Sequence, residues 1–143
     1  MYESKEFWNS VQVKPEFIEL IKSGIFDSYN HIMITKGSNK NHGYKFATLC
    51  IKLQELNWRN WSYHSVLENQ DKSIVNMKDG IQIDDNYDNL VKTNARVKIL
   101  LRNSLTTDYN TDYGKYGNID NLYIVETLEE VRQILEFNLI EKL

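Results

Sequence analysis

The chain has 143 residues, with 17 Lys and Arg against 20 Asp and Glu, a formal net charge of -3. Apolar residues make up 41% and charged residues 26%, the balance of one ordinary globular domain and not of a disordered chain, a collagen or a coiled-coil rod. The mild acidity excludes a general nucleic-acid binder, whose affinity comes from basic groups on phosphates, and falls short of the field an acidic DNA mimic needs.

Cys50 is the only cysteine, so no intrachain disulfide can form and a reducing compartment is expected. The first residues lack the basic-then-apolar layout of a signal peptide. No apolar run approaches the ~20 residues that span a bilayer. The expectation is a cytoplasmic protein without membrane contact. Asn, Lys, Ile and Tyr, with 16, 13, 14 and 9 copies, are all spelled by AT-rich codons. That bias points to a low-GC bacterium, its phage or a plasmid.

In chain order, Glu3 to Ser10 reads as a short helix carrying Phe7 and Trp8. Pro15 suits the first turn of a second helix, 15–23, where its missing N–H is harmless. Gly24 is a natural stop just past it. Tyr29 to Thr35 reads as a buried strand, followed by the polar loop Lys36 to Gly43. From Tyr44 to Leu56, apolar residues at 46, 49, 50, 53 and 56 have helical spacing, although alternation at 47, 49, 51 and 53 leaves a strand open. Trp61 to Leu67 reads as a strand. Ser73 to Met77 and Ile81 to Asp84 flank Lys78-Asp79-Gly80 as a hairpin. A short helix within 85–94 and a core strand at 96–102 come next. The polar stretch 103–121 then leads to a strand at 122–126. Thr127-Leu128-Glu129-Glu130 is a capping box opening a helix over 127–142, with Leu128, Val131, Ile134, Leu135 and Leu139 facing a core.

These elements predict a single α+β domain, 1–143. A mixed or mostly antiparallel sheet of four to six strands would be packed by helices 15–23, 44–56 and 127–142. A three-layer α/β arrangement is the alternative.

Gly37 to Gly43 resembles the glycine-rich phosphate turn of short-chain dehydrogenases. Asn41, however, stands where the middle glycine belongs, no Tyr-x-x-x-Lys pair exists and the chain is too short. That family is therefore not carried over. What remains is a basic loop with Lys36, Lys40, His42 and Lys45, able to present cations and a helix N-terminus to an anion; the competing reading is a solvated lysine-rich turn. Two-histidine phosphoesterase chemistry fails on spacing, because Met33 and Val66 stand where hydroxyl residues are required. Asp108 to Asp112 starts like a calcium loop, but Tyr113 replaces the essential glycine and Ile119 the closing glutamate. Asp79, Asp84, Asp85 and Asp88 form an acidic cluster able to hold a hard cation weakly; the favoured reading is a solvated hairpin edge. Cys50 reads as a core residue. No metal site, cofactor or catalytic constellation is recognised.

Aromatics supply the remaining signal. Trp58, Trp61, Tyr63 and their neighbours are dense. Tyr109, Tyr113 and Tyr116 recur among small polar residues, as on recognition surfaces. The stretch 103–121 is expected to be a mobile loop closing an antiparallel hairpin and ordering on a partner.

The expected function is a small binding protein that neutralises a partner protein, as immunity or anti-defence inhibitors do. The alternative is a nucleotide or nucleotide-signal binder, with phosphodiesterase or hydrolase activity conceivable. The candidate ligand- or partner-binding residues are Lys40, His42, Trp61, Tyr109, Tyr113 and Tyr116. Nothing in the sequence fixes the oligomeric state.

Overall fold

The computed structural model describes residues 5–78, 80–102 and 119–141. The chain divides into two compact units, Met1–Asp71 and Lys72–Leu143.

In the first unit, α1 (Lys5–Ser10) and α2 (Pro15–Lys22) precede β1 (His31–Lys36), α3 (Asn39–Lys52) and β2 (Trp61–Val66). Pro15 occupies the first turn of α2, and Gly24, at φ 80°, takes the left-handed conformation just beyond it. β1 and β2 pair in parallel, from His31 opposite Trp61 to Lys36 opposite Val66. The helix α3 is the crossover that a parallel pair requires. Its packing is read from Tyr63, Thr35, His42 and Lys45, which meet on one sheet face. On the opposite face Ile32 is 43% exposed. Leu20, Phe26, Leu53, Leu56 and Val66 are buried.

The second unit runs β3 (Ile81–Asp84), α4 (Tyr87–Lys92), β4 (Val97–Leu101), β5 (Leu122–Val125) and α5 (Leu128–Glu141). The strand order is β3-β4-β5, parallel throughout. Tyr87 and Leu90 of α4 bury Leu100, with Val91, Ile119 and Leu122 packed around them. Val97, Tyr123 and Val125, on the other face, line a groove with α5. Unit two therefore carries helices on both sheet faces, as parallel sheets generally do.

The expected mixed or antiparallel sheet of four to six strands does not form. Among the described residues there are five helices and two small all-parallel sheets of two and three strands. Residues 73–77 form no strand; Lys72–Ile74 is a 3-10 turn, and β3 pairs with β4. The Met77–Gly80 turn itself exists, closed by the Gly80 N–H on the Met77 carbonyl at 2.8 Å. Likewise 97–101 and 122–125 are neighbours, but parallel ones. The length of the 103–121 connection is therefore what a parallel return demands, and Ile119 at its end joins the core. Residues 103–118, with Tyr109, Tyr113 and Tyr116, lie outside the described residues.

Among the described residues no helix is long and apolar enough to cross a membrane.

Candidate functional site

The first unit has a cleft of about 440 Å³ lined by Trp8, Lys36, Gly37, Asn41, Lys45 and Glu68. Lys36 ends β1, Glu68 follows β2 by two residues, and Asn41 and Lys45 lie one turn apart on α3. The cleft thus opens at the carboxyl ends of the parallel strands, where open α/β sheets place their ligands. Its volume falls in the range of small-molecule sites, roughly 300–1,000 Å³.

Local sequence explains the shape. Ser38 is the N-cap of α3 and accepts the Asn41 N–H at 3.2 Å, the bond that lets Ser begin helices. Gly37 donates its N–H to the Val66 carbonyl at 3.0 Å. A side chain there would meet the Asn41 amide, because a Cβ would sit 2.7 Å from Asn41 Nδ2. Trp8 reaches the cleft because α1 is tied to α3: the Lys52 ammonium donates to the Asn9 carbonyl at 2.8 Å and to that of Val11.

Lys45 is held by its neighbours on β1 and α1. Its Nζ donates to Thr35 Oγ1 at 2.5 Å and lies 5.4 Å from the centre of the Trp8 ring. Thr35 and Tyr63 share one sheet face. Tyr63 Oη lies 2.7 Å from His42 Nδ1, and His42 Nε2 lies 3.0 Å from the Val66 carbonyl. That carbonyl only accepts, so Nε2 carries a proton, and in that tautomer Nδ1 accepts the Tyr63 hydroxyl. Lys45 thus donates to Thr35, and a second chain runs from Tyr63 through His42 to Val66. Burial pushes the Tyr63 hydroxyl above its ordinary value, opposed by the Thr35 side chain.

The sequence-derived residues divide accordingly. Lys40 is exposed on α3 and outside the cleft lining, whereas His42 is 8% exposed with both ring nitrogens engaged inside the fold. Trp61 is half-buried, stacked on His31 at 4.1 Å and edge-on to Phe26. That stack is part of the unit's packing. Cys50 is exposed on α3, contrary to its expected place in the core. Its apolar neighbours misled, because the helix turns residue 50 outward.

The basic loop signalled Lys36 and Lys45. Trp8, Asn41 and Glu68 were missed. The length of the β1–α3–β2 unit, with its single polar turn, was the available signal for them. The acidic residues at 84–88 are not a solvated hairpin edge. Asp84 is 8% exposed, pairs with Lys72 at 3.1 Å and accepts the Asn86 N–H at 2.9 Å. Asp79 lies outside the described residues. Among the described residues no group of three or more His, Cys, Asp or Glu is placed to hold a metal ion.

No protein-family model, curated protein or solved structure matches the chain.

Proposed function

We propose that the chain is a small-ligand binding protein whose first unit takes a phosphate-bearing molecule of nucleotide size. The observation that carries this reading is the convergence of Lys36 and Lys45 on one cleft at the carboxyl ends of β1 and β2, beside the start of α3. Two lysines give the wall a positive charge that outweighs Glu68, and the first turn of a helix adds the positive end of its dipole. Trp8 offers a ring for a base to stack on. Glu68 offers a carboxylate to ribose hydroxyls. The Thr35 hydroxyl holds the Lys45 ammonium, so less rotamer freedom is lost when an anion arrives.

The test is calorimetry with pyrophosphate, AMP, ADP, GMP and cyclic nucleotides. At least one nucleotide binds, and Lys36→Glu weakens it tenfold or more, while Lys40→Ala leaves it unchanged. Binding that depends on Lys40 and not on Lys36 would move the site away from the cleft. The absence of binding by every compound would remove the reading.

A further inference from the structure

The second unit holds a groove of about 440 Å³ between α5 and the strand face carrying Tyr123 and Val125. Its helix wall has an ordered pattern. Glu130, Ile134, Phe137 and Glu141 succeed one another along α5 and all line the groove. The middle is apolar, with Phe137 59% exposed and Tyr123 facing it from β5 at 44%. The two carboxylates stand eleven residues apart, about 16 Å along a helix.

Among the described residues, neither end of that pattern is paired with a cation lining the groove. Arg96, the one basic residue lining the groove among the described residues, donates from Nη2 to Asn138 Oδ1 at 2.6 Å. Glu130 caps α5, accepting the Glu126 N–H at 3.3 Å and the Thr127 hydroxyl at 3.1 Å. Along the same helix Arg132 is taken up by Glu129 and Glu136. The helix as a whole has four glutamates against one arginine. A bulky aromatic pair left open to water between two carboxylates is costly as a solvent surface and well suited as an interface, since aromatic anchors dominate binding energy.

We infer that this groove docks a partner protein through a segment that places two cationic side chains about 16 Å apart, with apolar side chains between them. Phe137 and Tyr123 form the anchor, and Glu130 and Glu141 set the register and steer the approach. The occupant is basic at both ends because an acidic or neutral segment would leave both carboxylates desolvated without a counter-charge. This surface is separate from the nucleotide reading of unit one and rests on different residues.

The experiment uses the full chain and three labelled helical peptides of about fourteen residues, read by fluorescence anisotropy. One has Lys near each end and Leu on the intervening face, one has Glu in place of Lys, and one keeps Lys but has Ser in place of Leu. The Lys/Leu peptide binds at least tenfold more tightly than either control. Phe137→Ser and Glu141→Lys each weaken it tenfold or more, and added salt weakens it further. Circular dichroism confirms that both variants remain folded. Equal binding of the Lys/Leu and Glu/Leu peptides overturns the inference. So does a Phe137→Ser variant that binds like the parent, or failure of the Lys/Leu peptide to bind. Sedimentation equilibrium gives the remaining outcome: self-association of the chain that Phe137→Ser abolishes would make a second copy the occupant and likewise overturn it.

Discussion

Shortening the connection between β4 and β5 probes the parallel topology directly. From Leu101, the chain must return to Leu122, which stands opposite Lys98. The return covers three residues along the strand, about 10 Å, and one strand spacing of about 4.8 Å. A four-residue Gly-Ser linker in place of residues 103–121 is long enough to reach. It cannot reverse direction twice, which a parallel return requires; such crossovers take a dozen residues or so. A linker of that length favours an antiparallel hairpin, which would break the existing register. The variant therefore releases β5 and α5 from the sheet. Val125, Val131 and Leu135, exposed 4%, 0% and 4%, would lose their burial. At about 1.5–3 kcal/mol each, the loss is roughly 5–9 kcal/mol, comparable with the whole stability of a typical domain. Urea melts followed by circular dichroism, with hydrogen exchange on α5, measure it. A sixteen-residue Gly-Ser linker serves as control and retains most of the protection. A four-residue variant with the parent's urea midpoint and a protected α5 would refute the parallel pairing.

Three further outcomes follow from local chemistry. Burial pushes His31 below the ordinary imidazole value, against its bond to the Phe26 carbonyl and the charge of Asp27. The unfolded chain then binds the proton more readily, so the stabilisation is present above about pH 6.5 and is lost as pH falls through the folded value. Urea melts between pH 7.5 and 5 should show this loss, and His31→Phe should flatten it. Burial, and then the neighbouring Asp84, raises the Asp85 carboxyl above the ordinary carboxylate range. Its contribution is present below the unfolded value and lost as pH rises through the folded one. Asp85→Asn should therefore be more stable than the parent at pH 7, with the difference shrinking in acid melts. At the α5 cap the Glu130 N–H donates to Thr127 Oγ1 at 3.2 Å. Thr127→Ala should cost about 0.5–2 kcal/mol and Leu135→Ala about 2–5 kcal/mol in urea melts.

Local signals in the sequence were read where they arise. Pro15 and Gly24 mark α2, and Thr127 with Glu130 marks α5, because capping and backbone restriction act within a few residues. The boundaries of α3 were displaced for the same reason. The Ser38 cap lies six residues before Tyr44, where the expected helix begins, and the intervening residues have the composition of a loop. They are helical because Asn41, His42 and Thr48, more than its apolar residues, form the buried side of α3. The helix stops at Lys52, and Leu53 and Leu56 are buried in the turn beyond. Strand direction was not legible. Pairing joins residues 30 apart in β1 and β2 and 24 apart in β4 and β5, and neither composition nor alternation encodes direction. The candidate site was half legible. The lysines could be read as a basic loop, but Trp8 comes from a helix nearly thirty residues upstream of Lys36, and only tertiary packing brings it there.

The most direct measurement of the proposed function is a nuclear magnetic resonance titration of the intact chain with ADP, following backbone amides and the tryptophan indoles. The account predicts saturable shifts at Gly37, Asn41 and the Trp8 indole, with Trp61 little affected, and their loss in Lys36→Glu. An absence of shifts at millimolar ADP, or shifts centred away from these residues, would contradict it.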